Sequence, residues 1–454
     1  MRLASVPHRA IAGALSRVPK PGSPTRTAAR YPARVSVAPR VVVLGSDHPS
    51  SLGIIQSFGR MGASVAAVDE SPSARGFRSR FVTSRHIIGT ALEDVWGVLD
   101  ELRPGGGVVL PTDDHYLTAL SQRAESLASS YVVPVPSWDV MGPLLRRARC
   151  LELAREAGLR TPTFHAFSDA AHMDAAVAAL DPTRQYLVCR DDFSRPCVVD
   201  TAAGRSIKVS GPGLAAIGRD CHDVMARTGQ LPVIVEILPG SSQDATGVVT
   251  VVNRHHEMVL TYCLRRQTLA SADTGDLFVH PYDLGWTSHC ESTTDPEAVA
   301  AARTFLRHVK FLGIAVVEFR RDARDGGLVF VKLDARIDRA VALGTVLGAD
   351  VPRAVYDVFV QGTTPAPCAY PGGVHWVWLS RYLSDVLLNR HRVALAGELR
   401  ALVAAARGAR AFAYLGRDDP RPFVHDLGRW VRSWGRRVSS WVRRRIGGLT
   451  REAA

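Results

Sequence analysis

Apolar residues in this chain fall into short runs and helical stripes, separated by turns marked with glycine and proline. VVVLG at 41–45 is an unbroken apolar run, which predicts a buried parallel strand. SDHPSSLGIIQSFGRMG and then SVAAVDE at 64–70 follow, giving strand, helix and strand, a βαβ unit. GVVLPTDD at 107–114 predicts a further strand ending in two acids at the carboxyl edge of a sheet. YVVPVPS at 131–137 closes this first region. The loop after the first strand opens a helix whose N–H groups face that edge, a place suited to an anion or a substrate carboxylate. Asp47 and His48 lie there and suit either an acceptor substrate or a helix cap. The spacing G-x-G-x-x-G is missing, so the dinucleotide fingerprint is absent.

Further along, LLRRARCLELAREAG at 144–158 repeats Leu144, Leu145, Ala148, Leu151 and Ala154 at helical spacing and stops at Gly158. QYLVCR at 185–190, PVIVEILPG at 232–240, ATGVVTVVN at 245–253 and MVLTYCLRR at 258–266 read as strands. TTDPEAVAAARTFLRHVKFLG at 293–313 predicts a helix opened by Asp-Pro and closed by glycine. VEFRRDARDGGLVFVKLDAR at 317–336 predicts a hairpin turning at Asp325-Gly326-Gly327. VPRAVYDVFVQG at 351–362 predicts a helix, and 373–412 reads as mostly helical.

Composition changes this picture in two places. The net charge is +13, with +8 in residues 1–40 and +6 in 426–454, so the body between them is nearly neutral. The basic balance therefore belongs to the tails and does not describe a nucleic-acid groove. Residues 1–38 lack acids and any sustained apolar run, which predicts a disordered basic tail and argues against a secretory signal. The same composition also suits an organellar transit peptide. Seven scattered cysteines without a C-x-x-C pair suggest reduced thiols and no structural zinc. No stretch approaches the roughly 18 apolar residues of a membrane span.

The hairpin carries the candidate chemistry. Folding about the Gly pair brings Glu318 opposite Val331 and Lys332, and Lys332, Asp334 and Arg336 share one face. Such a mixed face can hold Mg²⁺ and phosphate oxygens, or be a salt-bridged surface. His255-His256 falls in a turn, where solvent exposure rather than metal binding is expected.

The order of segments over 40–425 resembles the ATP-grasp superfamily, in its carboxylate–amine ligase branch. LPTDD and the VPVP strand are similar to the pre-grasp domain, and 144–158 with GLRTP to the helix of the first nucleotide lysine. QYLVCR is similar to the strand of the second lysine, and PVIVEILPG to the hinge whose backbone holds adenine. VEFRRDARDGG with FVKLDAR is similar to the metal hairpin, and GADVPRAVYDVFVQG to the closing helix. The resemblance implies an α/β chain with an ATP-grasp fold: an N-terminal Rossmann-like pre-grasp domain, a central two-lobed α+β region and a C-terminal helical extension. The implied boundaries are 1–38 for the tail, 39–138 for the pre-grasp domain, 139–370 for the ATP-grasp domain, 371–425 for a helical segment and 426–454 for a basic amphipathic helix.

The implied activity is ATP-dependent C–N bond formation between a small-molecule carboxylate and an amine, through an acyl phosphate, with ATP and Mg²⁺ as cofactors. By position, Arg147 and Arg190 replace the two lysines and keep their charge. Lys208 is a further phosphate cation or a plain edge-strand lysine; Glu236, Ile237 and Leu238 would meet adenine. Glu318 and Asp334 would be metal ligands, Arg336 would lie near the transferred phosphate, and Arg265 and Arg266 would face the acyl acceptor.

Two departures bear on catalysis. Lys332 falls where the second metal carboxylate belongs. At about 4 Å and an effective dielectric of about 20, it would oppose a unit charge by about 4 kcal/mol and a dication by about twice that. One ion rather than two is then expected, or the ammonium itself substitutes for an ion. The glycine-rich lid is also missing, since DDFSRPCVVDTAAGRS at 191–206 holds only Gly204. Two classes therefore stay open: an active ligase, and a catalytically impaired nucleotide- or metabolite-binding or scaffold protein.

In the C-terminal segment, Leu427, Trp430, Val431, Trp434, Val438, Trp441, Val442 and Ile446 recur at three and four residues among arginines. This predicts an amphipathic helix for an anionic membrane surface, with docking on the body or on a partner subunit, and disorder, as the competing readings. A cytoplasmic chain, peripheral at the inner face of the membrane and without nucleic acid, is the expectation. Homo-oligomer formation is left open by the sequence.

Overall fold

The computed structural model describes residues 40–193, 207–209, 213–240, 244–266, 288–388 and 395–452. The tail 1–38, Cys197 and Gly204 lie outside the described residues, as do the side chains at 207–209, 388, 395 and from 437 onward.

The apolar runs build a first, parallel sheet. Its elements are β1 (Arg40–Leu44), α1 (Pro49–Arg60), β2 (Ser64–Asp69), β3 (Val82–Ile87), α2 (Leu92–Leu102), β4 (Gly107–Pro111), α3 (Asp114–Leu127) and β5 (Tyr131–Val132). The strand order is β3-β2-β1-β4-β5, so the chain reverses direction across the sheet between β1 and β4. Loops leaving such neighbouring strands splay apart and form a crevice at the carboxyl edge. Gly45 turns the chain there at φ 84°, and a Cβ on it would meet the Thr112 hydroxyl at 2.3 Å. Only glycine fits that close approach.

Next come α4 (Trp138–Leu144), α5 (Arg147–Glu156), β6 (Phe164–His165), α6 (Ala170–Ala178), β7 (Tyr186–Arg190), β8 (Ile207–Val209), α7 (Leu214–Thr228) and β9 (Pro232–Glu236). The single helix expected over 144–158 is broken at Leu145-Arg146. Arg146 is extended and bridges Asp192, while the Asp191 carboxylate accepts from the Ala148 amide at 2.8 Å and its carbonyl from Arg147 N at 2.8 Å. A cap borrowed from a distant strand end thus sets the start of α5. The small antiparallel sheet runs β6-β9-β7-β8.

The third sheet is the largest. It is built from β10 (Ala245–Val252), β11 (Met258–Arg266), β12 (His289–Thr293), α8 (Pro296–His308), β13 (Gly313–Arg321), β14 (Leu328–Asp334), α9 (Val341–Leu347), α10 (Val351–Phe359), β15 (His375–Val377), α11 (Leu379–Leu388), α12 (Leu395–Gly408) and β16 (Ala409–Phe412). Its order is β14-β13-β10-β11-β12-β15-β16. The 373–412 segment is helical apart from β15 and β16, two short strands that close the sheet's far edge. Val41 and Val43 share one apolar core with Val249, Tyr262 and Trp376, so the first sheet and the large sheet are packed without a solvent gap.

The chain ends in α13 (Arg421–Glu452), 32 residues or about 48 Å of helix. Its first turns dock on the body. His425 Nε2 lies 2.9 Å from the Ser73 carbonyl, Arg429 donates to Asp47 at 2.7 Å, and Asp426 accepts from Arg75 at 2.6 Å. Trp430 donates to the Ser384 hydroxyl at 2.9 Å and Trp434 at 3.4 Å. These two indoles, expected at a membrane face, therefore pack on α11. Among the described residues, no helix is long and apolar enough to cross a membrane.

Candidate functional site

The hairpin β13–β14 sets the geometry. Glu318 pairs with Lys332 and Val316 with Asp334, which puts the three charged side chains on one face of the sheet. Gly326, at φ 71°, permits the turn that fixes this register. On the same face, Arg266 at the end of β11 donates to Glu318. Lys332 Nζ lies 2.8 Å from Asp334 Oδ2 and 3.4 Å from Glu318 Oε1, so one ammonium closes both carboxylates. Burial opposes ionisation of Asp334, yet Lys332, Arg336 and Arg266 together hold its carboxyl well below the usual range. Burial likewise works against the Arg266 charge, but Glu318, Asp338 and Asp334 keep the guanidinium firmly protonated.

The loop after β14 crosses to the first sheet. Arg336 Nε donates to Asp114 Oδ1 at 2.8 Å, and Arg339 Nε lies 3.0 Å from His48 Nε2. Asp114 and His48 stand at the ends of β4 and β1, on either side of the crevice. His48 is also the N-cap of α1, the capping role foreseen for this residue. Its Nδ1 lies 2.6 Å from Ser50 Oγ and 3.4 Å from the Ser50 amide nitrogen. Burial, then Arg339, Arg336 and Arg75, keep this imidazole neutral. Burial and the neighbouring Arg336 draw the Arg339 guanidinium down to about 10. Asp113 caps α3 through the Tyr116 amide, and burial with the adjacent Asp114 pushes its carboxyl up to about 6. A small cavity of about 50 Å³ is bounded by Arg266, Lys332, Asp334, Arg336 and Arg339, with Trp376 as one apolar wall.

The remaining expected residues do not line this cavity. Arg147 opens α5, and its Nε is buried without a hydrogen-bond partner. Burial pushes the Cys150 thiol up to about 12 and Cys189 up to about 11, each against the pull of Arg147. Cys150 also feels Asp334, and Cys189 also feels Arg190. Arg190 ends β7, buried, with its guanidinium 4.9 Å from the Phe193 ring centre. Lys208 stands on β8 opposite Val188, and its side chain lies outside the described residues.

At the hinge, the Glu236 carboxylate is clamped by Arg184 at 2.9 Å and Arg324 at 2.8 Å. The Glu236 and Ile237 amides donate to Thr163 and Gln185 carbonyls at 2.8 and 2.9 Å, and Leu238 is buried. Of the expected hinge trio, two amides therefore belong to the sheet. Arg265 points to the other face of β11 from Arg266, toward Glu291 at 4.0 Å and Thr293 at 3.5 Å. Asp338 and Arg339 were not foreseen. Their signal lay in RIDR at 336–339, whose charges follow Arg336 directly.

A phosphate-bearing ligand suits this donor set, since Arg147 offers a buried, unpartnered N–H. A divalent ion does not fit the carboxylates as arranged. Lys332 occupies the space between Glu318 and Asp334, and no group of three or more His, Cys, Asp or Glu suited to a metal exists among the described residues.

No protein-family model matches the sequence, and no curated protein does. Solved structures do match. N5-carboxyaminoimidazole ribonucleotide synthetase with ADP shares 12% identity over 78% of this chain and 85% of its own, at a TM-score of 0.57. The Staphylococcus aureus N5-carboxyaminoimidazole synthetase complexed with ADP shares 13% over 74% and 81%, at 0.56. The biotin carboxylase domain of Hydrogenobacter thermophilus 2-oxoglutarate carboxylase, solved with MgADP, ADP and bicarbonate, shares 12% over 74% and 73%, at 0.56. The chain has the ATP-grasp fold of these structures and is divergent in sequence.

Proposed function

On that fold, we propose an ATP-dependent ligase that joins a small-molecule carboxylate to an amine. The carrying observation is the meeting of Arg266, Glu318, Lys332 and Asp334 on one sheet face with Arg336 of the following loop, against Asp114 and His48 at the crevice of the first sheet. A carboxylate oxygen attacks the γ-phosphorus and ADP leaves. The amine nitrogen then attacks the acyl carbon, phosphate leaves, and the amine loses a proton. Such transfer needs positioning and charge stabilisation more than covalent help from the protein. In this reading Arg147, Arg190 and Lys208 hold the phosphates, and adenine lies against the hinge at Leu238. Arg336 draws on the transferred phosphoryl group and Arg266 flanks the acceptor, whereas Arg265, on the other face of β11, is turned away from it.

One observation favours a second reading, nucleotide binding without turnover: both metal-type carboxylates are already closed by Lys332. ADP and phosphate release against a panel of amino acids, beside thermal shifts with ATP and ADP, separates the two. The ligase reading expects release that needs both organic substrates and falls at least 100-fold in Arg336→Met. Thermal shifts without release favour the second reading, and no shift with any nucleotide sinks both.

We also place the chain in the cytoplasm with α13 against an anionic membrane surface. Val424, Leu427 and Val431 are 66%, 36% and 55% exposed along one side of the docked helix, and the exposed Arg432 and Arg436 supply charge.

A further inference from the structure

We propose that the Lys332 ammonium is the resident cation of this site, so that the nucleotide's phosphates bind without a divalent ion at Glu318 and Asp334. The inference rests on the nucleotide reading above and specifies it. Lys332 stands directly opposite Glu318 in the strand register, so the pleat aims both side chains to one face. Its Nζ is 2.8 Å from Asp334 and 3.4 Å from Glu318, within ion-pair reach of the two groups that would ligate a metal. Arg266 meets the same Glu318 oxygen, Oε1, that Lys332 approaches. Two carboxylates thus face two protein cations, and the pair of charges a divalent ion would bring is already supplied.

The ammonium keeps a further use. It has three N–H donors, one of which Asp334 accepts at 2.8 Å, while Glu318 lies at ion-pair distance. Lys332 lines the cavity together with Arg266, Arg336 and Arg339. That volume, about 50 Å³, suits a single phosphoryl or carboxylate group. A point charge with free donors is an ordinary phosphate ligand. Lys332 therefore screens the acidic pair and reaches the phosphate, two tasks that a bound ion would otherwise combine.

The test uses the full chain and Lys332→Glu, Lys332→Met and Glu318→Gln variants, with thermal melting as a check on folding. Mn²⁺ binding is followed by electron paramagnetic resonance, and ADP affinity by calorimetry in Mg²⁺ and in EDTA. The wild type should leave Mn²⁺ free in solution and bind ADP within about threefold in the two buffers. Lys332→Glu should take up Mn²⁺ at least tenfold more tightly than the wild type and make ADP binding Mg²⁺-dependent. Should Lys332→Glu not fold, the neutral Lys332→Met should still show the Mn²⁺ gain. Stoichiometric Mn²⁺ binding by the wild type that Glu318→Gln abolishes would overturn the proposal. So would a tenfold Mg²⁺ gain in ADP affinity that Glu318→Gln removes. If ADP binds in neither buffer, the nucleotide reading falls, and the Mn²⁺ arm alone decides whether Lys332 excludes a metal.

Discussion

Removing the Lys332 charge should destabilise the fold in a pH-dependent way. In Lys332→Met the aliphatic stem is kept, and Glu318 and Asp334 lose the ammonium at 3.4 and 2.8 Å. At an effective dielectric of about 20, those contacts carry gross attractions of about 5 and 6 kcal/mol. Desolvation of the ammonium offsets much of this, and breaking a buried pair on one side costs about 3–5 kcal/mol. The three side chains are 14–24% exposed, so the lower end, about 3 kcal/mol, is the expectation at pH 7.5. A carboxyl held low in the folded state stabilises that state above its unfolded pKa, and the benefit disappears as pH falls through the folded value. For Asp334 that loss falls in strongly acidic solution, so the wild type keeps the contribution down to about pH 4.5. Without Lys332, burial regains weight against Arg336 and Arg266, the folded pKa rises, and a proton relieves the variant as pH falls. The difference between the proteins should therefore shrink from pH 7.5 to 4.5, and millimolar Mg²⁺ should restore stability to the variant alone. Urea denaturation followed by tryptophan fluorescence measures this. A loss below about 0.5 kcal/mol at pH 7.5, the scale of an ordinary surface change, would refute the reasoning. So would a loss that does not vary with pH.

Three further outcomes are expected. Asp113 binds its proton more tightly folded than unfolded, so stability should fall as pH rises from about 4 to 6 and stay lowered above. Asn preserves a helix cap, so Asp113→Asn should gain about 2 kcal/mol at pH 8 and nothing at pH 4 in parallel urea melts. Arg147→Ala should weaken ADP about tenfold by calorimetry, about 1.4 kcal/mol, while the apo melting temperature stays within a few degrees. Val424→Glu with Val431→Glu, both exposed, should abolish flotation of the full chain with anionic liposomes while leaving its melting temperature unchanged. Equal flotation would remove the membrane role.

Local pattern carried much of the fold. The run MVLTYCLRR is β11 residue for residue, and the Asp-Gly-Gly turn gave the hairpin register that opposes Glu318 and Lys332. Turn chemistry and period-two patterning act over a few residues, so sequence displays them. The break between α4 and α5 was not visible, because Asp191 caps α5 from another strand. β15 and β16 were missed for a similar reason: three and four residues have little pattern of their own and are held by partners far along the chain. The candidate cations were legible by position, but their acids were not. Arg336 finds Asp114 across 222 residues, and only the packing of the first sheet on the large sheet brings them together. The α13 stripe was read as one surface, whereas Trp430 and Trp434 turn to Ser384 and leave Val424 and Val431 outside.

The central claim is that a triphosphate is held by this chain's own cations beside an acidic pair closed by Lys332. A crystal structure with a non-hydrolysable ATP analogue and Mn²⁺ addresses it most directly. The account expects phosphates against Arg147, Arg190 and Lys332, with no anomalous metal peak between Glu318 and Asp334. A metal peak there with Lys332 swung away, or an analogue bound elsewhere, would contradict it.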